Sequence, residues 1–145
     1  GERQHNFENF HVPLVIHAPK YFPPGVDSKI TSQLDLWPTL ASFIGIPYRN
    51  TTLGRNVFDP KFANRDEAFV YFWYTYPPQF GVLTSKFFLK EDLDSISYLY
   101  DYTGSESSKD VREQYPEDYQ RLRDLSLGLY YSSHYLMRNN KKIKN

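Results

Sequence analysis

The chain has 145 residues, enough for one compact domain, and its 17 basic residues balance its 17 acidic ones. This zero net charge argues against a nucleic-acid partner, because such a partner requires a dense basic surface. The sequence contains no cysteine and no apolar run of about 18 residues, which excludes disulfides, a cysteine nucleophile and a membrane span within it.

The first predicted element is a strand at residues 12–17. The stretch "HVPLVIHAP" holds a nearly continuous apolar run from Val12 to Ile16. Such a run is typical of a strand that is buried on both faces of a parallel sheet. A strand of this kind needs neighbouring strands and covering helices, and the sequence supplies too few of them. We therefore expect the chain to be a piece of a larger α/β fold.

The second element is a short amphipathic helix over residues 35–45, within "SQLDLWPTLASFIGI". Asp35 is the expected N-cap, with its carboxylate accepting N–H groups of the first turn. Pro38 falls at about the third helical position, where its missing N–H costs little. Gly45 suits the left-handed residue that ends a helix. One apolar face is formed by Leu36, Leu40, Phe43 and Ile44.

Three strands are predicted within residues 67–102. The segments "EAFVYFWYTY", "FGVLTSKFFLK" and "ISYLYDY" are rich in β-branched and aromatic residues, and "EDLDS" separates the last two. Because these strands follow one another directly, they predict a small antiparallel meander.

A final helix is predicted over residues 116–138. Pro116 and two acidic residues mark its start. Its apolar face is formed by Tyr119, Leu122, Leu125, Leu129 and Leu136. These patterns divide the chain into the end of an α/β core, residues 1–60, and an antiparallel C-terminal subdomain, residues 61–145. As an isolated piece the chain would be α+β.

Motifs that carry catalysis are missing from the sequence. It has no glycine-rich phosphate loop, no G-x-S-x-G elbow and no H-E-x-x-H helix. His11 and His17 flank the predicted strand and would point to the same side of it. A ligand pair and ordinary solvent-facing histidines both fit this spacing, and the second interpretation is favoured. We expect no catalytic residue and no metal ligand within these residues.

Four stretches in the same order resemble the C-terminal half of the sulfatase family, in the alkaline-phosphatase superfamily. They are "HVPLVIHAP", "SQLDLWPTLASFIGI", "GRNVF" and "YLYDYTGSESSKDVREQYPED". Within that family, "SQLD" and "YSSHYLMRNNK" are more similar to the lipoteichoic-acid-synthase-like, phosphoglycerol-transferase-like branch. The resemblance implies one strand and one helix of the core sheet, followed by a small antiparallel sheet that a C-terminal helix covers.

The resemblance also implies a chemistry. Members of this family use a serine, formylglycine or threonine nucleophile with a divalent metal (Ca, Mn, Mg or Zn), and an Asp-His-Gly motif completes the metal site. All of these elements would lie in a preceding N-terminal part, so this chain would be inactive alone and would wall the substrate cleft. Arg3 or His5 would match the basic residue that faces the ester oxyanion.

The same resemblance implies the surroundings of the protein. Its partners would be the N-terminal part of the same protein and a sulfated or phosphorylated glycan or lipid. It would lie outside the cytoplasm, in a bacterial cell envelope. Two other hypotheses remain open. One is a free-standing module that binds a glycan through the aromatic stretch "FVYFWYTYPPQF", and the other is a scaffold domain that hides its unpaired strand by association.

Overall fold

The computed structural model describes residues 12–72, 75–94, 96–104 and 107–140 of the chain. The fold is α+β: a helical segment comes first, and a four-stranded sheet and a long helix follow it. The helices and strands are α1 (Leu36–Ile44), β1 (Glu67–Phe72), β2 (Gln79–Thr84), β3 (Phe87–Asp92), β4 (Ser97–Asp101) and α2 (Pro116–Asn139). Short 3-10 turns occupy Gln33–Asp35 and Pro60–Phe62.

The sheet is an antiparallel meander with the order β1-β2-β3-β4. The sequence predicted three strands there, but "FGVLTSKFFLK" folds as a hairpin that contributes both β2 and β3. Thr84 explains the turn, because its hydroxyl accepts the Phe87 N–H at 2.9 Å and donates to the Phe87 carbonyl at 3.1 Å. These bonds satisfy the backbone of a tight turn that lacks glycine, asparagine and proline.

The main core lies between the sheet and α2. Its buried members are Val82, Phe87, Leu89, Leu99, Val111 and Leu122. The predicted helix face is confirmed at Leu122, which is fully buried, although Ser126 and Tyr130 are buried beside it. The Tyr130 ring stacks on the buried Phe80 ring with centroids 4.4 Å apart. α2 is therefore fixed to the sheet by both aliphatic and aromatic contacts.

Helix α1 ends as predicted and begins differently. Pro38 is its third residue, and Gly45 ends it with a φ of 66°. Asp35 occupies the N-cap position of α1, but its side chain does not cap the helix. Its carboxylate instead accepts the N–H of the preceding Ser32 at 2.8 Å. Ser32 in turn caps the short turn before α1. Ile44, expected on the packed face, is 65% exposed.

Residues 12–17 differ most from their prediction. They form no strand, and Val15 is 86% exposed. A strand requires hydrogen-bonded neighbours on at least one edge. The only described strands are those of the meander, and each of them pairs within it. The apolar run is therefore unpaired and exposed in this structure, which corrects the expectation of a strand buried on both faces.

Candidate functional site

Asp35 and Arg55 form the centre of a buried polar cluster between α1 and the loop that follows it. The two residues are 6% and 4% exposed. One carboxylate oxygen of Asp35 accepts the Arg55 N–H at 2.8 Å, and the other accepts the Ser32 N–H. The carboxylate thus joins the start of α1 to a loop that comes 20 positions later. We call Asp35, Thr39, Arg55 and Glu67 the Asp35 cluster.

Thr39 holds the same loop from the first turns of α1. Its hydroxyl donates to the Arg55 carbonyl at 3.4 Å and accepts the Val57 N–H at 3.2 Å. On the other side of the loop, the Asn50 side-chain amide donates to the Gly54 carbonyl at 2.6 Å. Asp35 and Thr39 of "D-L-W-P-T" and Arg55 of "G-R-N-V" therefore use their side chains to form hydrogen bonds with backbone groups. These contacts have a structural role.

The Arg55 guanidinium extends the cluster to the sheet. Its Nη2 donates to the Ile30 carbonyl at 3.0 Å, while its Nη1 lies 3.7 Å from a Glu67 carboxylate oxygen at the start of β1. Arg65 donates to the same oxygen. Within the part of the chain that the structure describes, Nη1 makes no hydrogen bond. An adjoining cavity of about 10 Å³ has room for about one water molecule. The two guanidiniums therefore share the Glu67 carboxylate.

A second candidate site lies on the face of the sheet that points away from α2. We call it the outer sheet face; Phe72, Phe88, Lys90, Tyr98 and Tyr100 form it. A shallow concavity of about 270 Å³ opens there, and its lining includes Gln79, Lys90, Ile96, Tyr98 and Tyr100. The Tyr98 and Tyr100 rings are stacked with centroids 6.1 Å apart. Aromatic faces beside amide and ammonium donors suit a sugar ring.

Burial changes the acid–base properties of this face. Burial is the main reason that the pKa of Tyr100 rises to about 12. Burial also lowers the pKa of the Lys90 ammonium, whose nitrogen lies 5.2 Å from the centre of the Phe72 ring. The Tyr100 phenol thus keeps its proton at neutral pH, whereas burial makes the Lys90 ammonium easier to deprotonate.

Glu91 is a buried carboxylate on the opposite face, between the sheet and α2. It is 3% exposed, and one of its oxygens lies 3.7 Å from Nε of Arg123. Burial raises the pKa of Glu91, while the Ser126 hydroxyl and the charge of Arg123 oppose that rise. Sequence analysis missed this residue. The alternation of Phe87, Leu89 and Glu91 along β3 was the signal that could have placed it on the core side.

The residues predicted to bind the substrate, Arg3 and His5, lie outside the described residues, as does His11. Their roles stay predictions. His17 is exposed, and the His134 ring contacts the Tyr130 ring at a tilt of 50°, with ring centroids 4.5 Å apart. Over residues 12–72, 75–94, 96–104 and 107–140, no three histidine, aspartate or glutamate side chains come together in a way that would hold a metal ion. None of the described helices is long and apolar enough to cross a bilayer.

Comparison with known proteins shows what the fold of this chain is similar to. No family model matches the chain, and no curated protein matches it significantly. The chain is similar to part of the protein BT4656, solved in complex with its substrate D-glucosamine-2-N,6-O-disulfate. The match has a TM-score of 0.51 and 19% identity, and it covers 77% of this chain. It covers only 25% of BT4656, so the chain spans about a quarter of that protein.

This likeness concerns the fold. In this chain a small antiparallel sheet is covered by a long C-terminal helix, and the α+β fold is similar to one portion of BT4656. The fold class predicted from the sequence is thereby confirmed.

Proposed function

We propose that the chain is the C-terminal part of a sulfatase-like hydrolase or transferase that acts on sulfate esters or phosphodiesters. The observation that carries this proposal is the structural match to a quarter of BT4656, whose substrate bears sulfate groups. The four sequence stretches follow one another in the order that the sulfatase family shows, which supports the same assignment. Glucosamine sulfates are the first substrates to test.

In this proposal the chain has a structural role. The Asp35 cluster fixes the loop after α1 against the start of β1, and the sheet with α2 forms a wall beside the cleft. The nucleophile and the ligands of a divalent metal would come from polypeptide outside these 145 residues, and Arg3 or His5 would face the ester oxygens. The chain alone would then be inactive. In such enzymes the metal lowers the pKa of the nucleophile and neutralises charge on the transferred group.

The finer assignment follows the resemblance of "SQLD" and of the C-terminal stretch to the phosphoglycerol-transferase-like branch. We infer an enzyme of the bacterial cell envelope that works outside the cytoplasm. Its substrate would be a sulfated or phosphorylated glycan or lipid.

The test begins with the coding sequence upstream of Gly1. We expect an Asp-His-Gly motif close to Gly1 and a serine, cysteine or threonine nucleophile further upstream. The full encoded protein would then be assayed on glucosamine 6-O-sulfate and on a glycerol phosphodiester, with and without a metal chelator. Chelator-sensitive turnover of either ester supports the proposal, while the 145-residue chain serves as the inactive control. An unrelated upstream domain, or a full protein without esterase activity, would refute it.

A second candidate function is binding of a saccharide at the outer sheet face. The concavity of about 270 Å³ beside Tyr98 and Tyr100 favours it, and it extends the expected binding surface from the aromatic stretch "FVYFWYTYPPQF" to β3 and β4. Isothermal titration of the 145-residue chain with glycan fragments, in the absence of metal, tests it. Binding that is lost in Tyr98→Ala and kept in Tyr76→Ala would favour the module, since Tyr76 is fully exposed elsewhere.

A further inference from the structure

Helix α1 differs from α2 because it carries no charged side chain. From Leu36 to Tyr48 the sequence "LWPTLASFIGIPY" contains no aspartate, glutamate, lysine or arginine. Helix α2 shows the ordinary pattern of a surface helix, since Glu117, Arg121 and Asp124 lie on its exposed side. A helix at a protein surface normally has such a polar face, whereas a helix that is apolar all round is buried. The sequence of α1 therefore suits a buried helix.

One side of α1 packs on the rest of the chain. The Phe43 ring lies edge-on to the Phe22 ring with centroids 5.0 Å apart, and its centroid lies 5.3 Å from that of Phe58. Thr39, four residues before Phe43 and on the same side, holds the loop after α1. This side of the helix thus has its partners within the chain.

The other side of α1 is an apolar stripe that is open to water. Trp37, Leu40, Ala41 and Ile44 follow the i, i+3, i+4, i+7 spacing that places residues on one face of a helix. Trp37 is 73% exposed and Ile44 is 65% exposed, and Ile46, just beyond the helix, is 56% exposed. Exposed apolar residues that adjoin one another mark a surface for another molecule. We call Trp37, Leu40, Ala41 and Ile44 the α1 stripe.

We propose that the α1 stripe is the surface on which the preceding polypeptide of the same protein docks, so that α1 becomes buried between the two parts. This inference rests on the proposed function, because it takes the chain to be one part of a larger protein. The match covers 25% of BT4656, so about three-quarters of that protein lies outside it. A body of polypeptide of that size can supply the apolar side chains that bury the stripe, and burial of apolar area is the main driving force of association.

The lack of charge favours a polypeptide over a lipid surface as the occupant. A helix that lies on a membrane normally combines its apolar face with lysine or arginine side chains, which attract the headgroups. α1 itself has no basic residue, and the nearest ones, Lys29 and Arg49, lie beyond the two ends of the helix. The stripe therefore has the character of a protein interior.

Cysteine labelling tests the proposal, because the chain contains no cysteine of its own. Trp37→Cys and Ile44→Cys each place a thiol on the α1 stripe. Arg121→Cys is the matched control on the charged side of α2, where the Arg121 side chain is 60% exposed. Each variant is made in the full encoded protein and in the 145-residue chain. Peptide mass spectrometry follows the modification of each position by a maleimide, relative to its rate in the unfolded protein.

In the 145-residue chain we expect the three thiols to react at similar rates. In the full protein the two stripe thiols should react at least about tenfold more slowly, because a buried position reacts only through local opening, while the Arg121 position should be unchanged. Circular dichroism verifies the fold of each variant.

Fast labelling of the stripe in the full protein, or equal slowing at Arg121, would overturn the proposal. Slow labelling in the 145-residue chain that becomes faster on dilution would overturn it in favour of a second copy of the chain. Protection that requires phospholipid vesicles would overturn it in favour of a membrane. Ester turnover is measured separately on the wild type. A protected stripe without turnover refutes the proposed activity alone, and an open stripe in an active protein refutes the docking surface alone.

Discussion

Arg55 donates its backbone N–H to a carboxylate oxygen of Asp35 at 2.8 Å, across 20 positions of the chain. This bond joins the start of α1 to the loop that leads into β1. The Asp35 cluster thereby connects the helical first part of the chain to the meander, and its stability can be tested residue by residue.

Asp35→Ala should destabilise the protein. The change leaves the N–H groups of Ser32 and Arg55 without their acceptor, and an unpaired buried donor costs about 1–3 kcal/mol. We expect the free energy of unfolding, measured by urea denaturation, to fall by about 2–4 kcal/mol. Asp27→Ala is the control, because Asp27 accepts one exposed N–H, and it should cost less than about 0.5 kcal/mol. Equal losses in the two variants would contradict the role of Asp35.

Two glycine substitutions should act in opposite directions. A Cβ at Gly54 would lie 1.9 Å from the Leu34 carbonyl oxygen, so Gly54→Ala forces the loop away from α1 and should cost about 1–3 kcal/mol. A Cβ at Gly128 meets nothing within 4 Å, and alanine favours a helix interior, so Gly128→Ala should stabilise the chain by about 0.5–1 kcal/mol. Thermal unfolding of both variants checks the pair. A stable Gly54→Ala protein would show that the loop packs differently.

Substitution of Leu122 tests whether α2 packs on the sheet through this side chain. It is fully buried in the core, so Leu122→Ala should lower the free energy of unfolding by about 2–5 kcal/mol. Leu93→Ala removes the same atoms from a side chain that is 48% exposed, and it should cost less than about 1 kcal/mol. Chemical denaturation of the two variants side by side gives the comparison. Similar losses would mean that α2 does not cover this face.

Glu91 should give the protein a distinctive dependence on pH. Burial raises its pKa above the ordinary 4.5, so the folded state binds the Glu91 proton more tightly than the unfolded state. Stability from this group is complete below pH 4.5 and is lost as the pH rises through the higher, folded pKa. Glu91→Gln should therefore gain stability relative to the wild type as the pH rises through that window.

The measurement is the difference in free energy of unfolding between wild type and Glu91→Gln at several pH values. The difference is needed because Asp59 and Asp101 have lowered pKa values, which give the opposite slope at lower pH. Circular dichroism of both proteins at each pH verifies that the fold is the same. A difference that does not vary with pH would show that Glu91 is solvated.

Much of the fold could be predicted from local patterns. Pro38, Gly45 and the spacing of apolar residues in α2 placed two helices within a few residues of their observed ends. The β2–β3 hairpin was missed because its turn residues, Ser85 and Lys86, are not typical of tight turns. The Thr84 side chain stabilises that turn instead, and periodicity does not report such a bond.

The candidate sites were harder to predict because their contacts are distant in sequence. Asp35 resembles an N-cap locally, but its acceptors are used by Ser32 and by a loop 20 positions away. The outer sheet face needs the strand register, which sets Lys90 opposite Tyr98. Arg3 and His5 stay predictions, since they lie outside the described residues.

The order of the strands has a consequence for how the chain folds. In the meander each strand pairs with its neighbour in sequence, and α2 follows β4 after the connection formed by residues 102–115. Short loops close at low entropic cost, and local contacts favour fast folding. The sheet and α2 should therefore assemble hairpin by hairpin. The segment with α1 leaves the ribosome before the meander does, yet Glu67, which pairs with Arg55, is in place only after β1 has formed. This segment should therefore dock after the meander that it precedes.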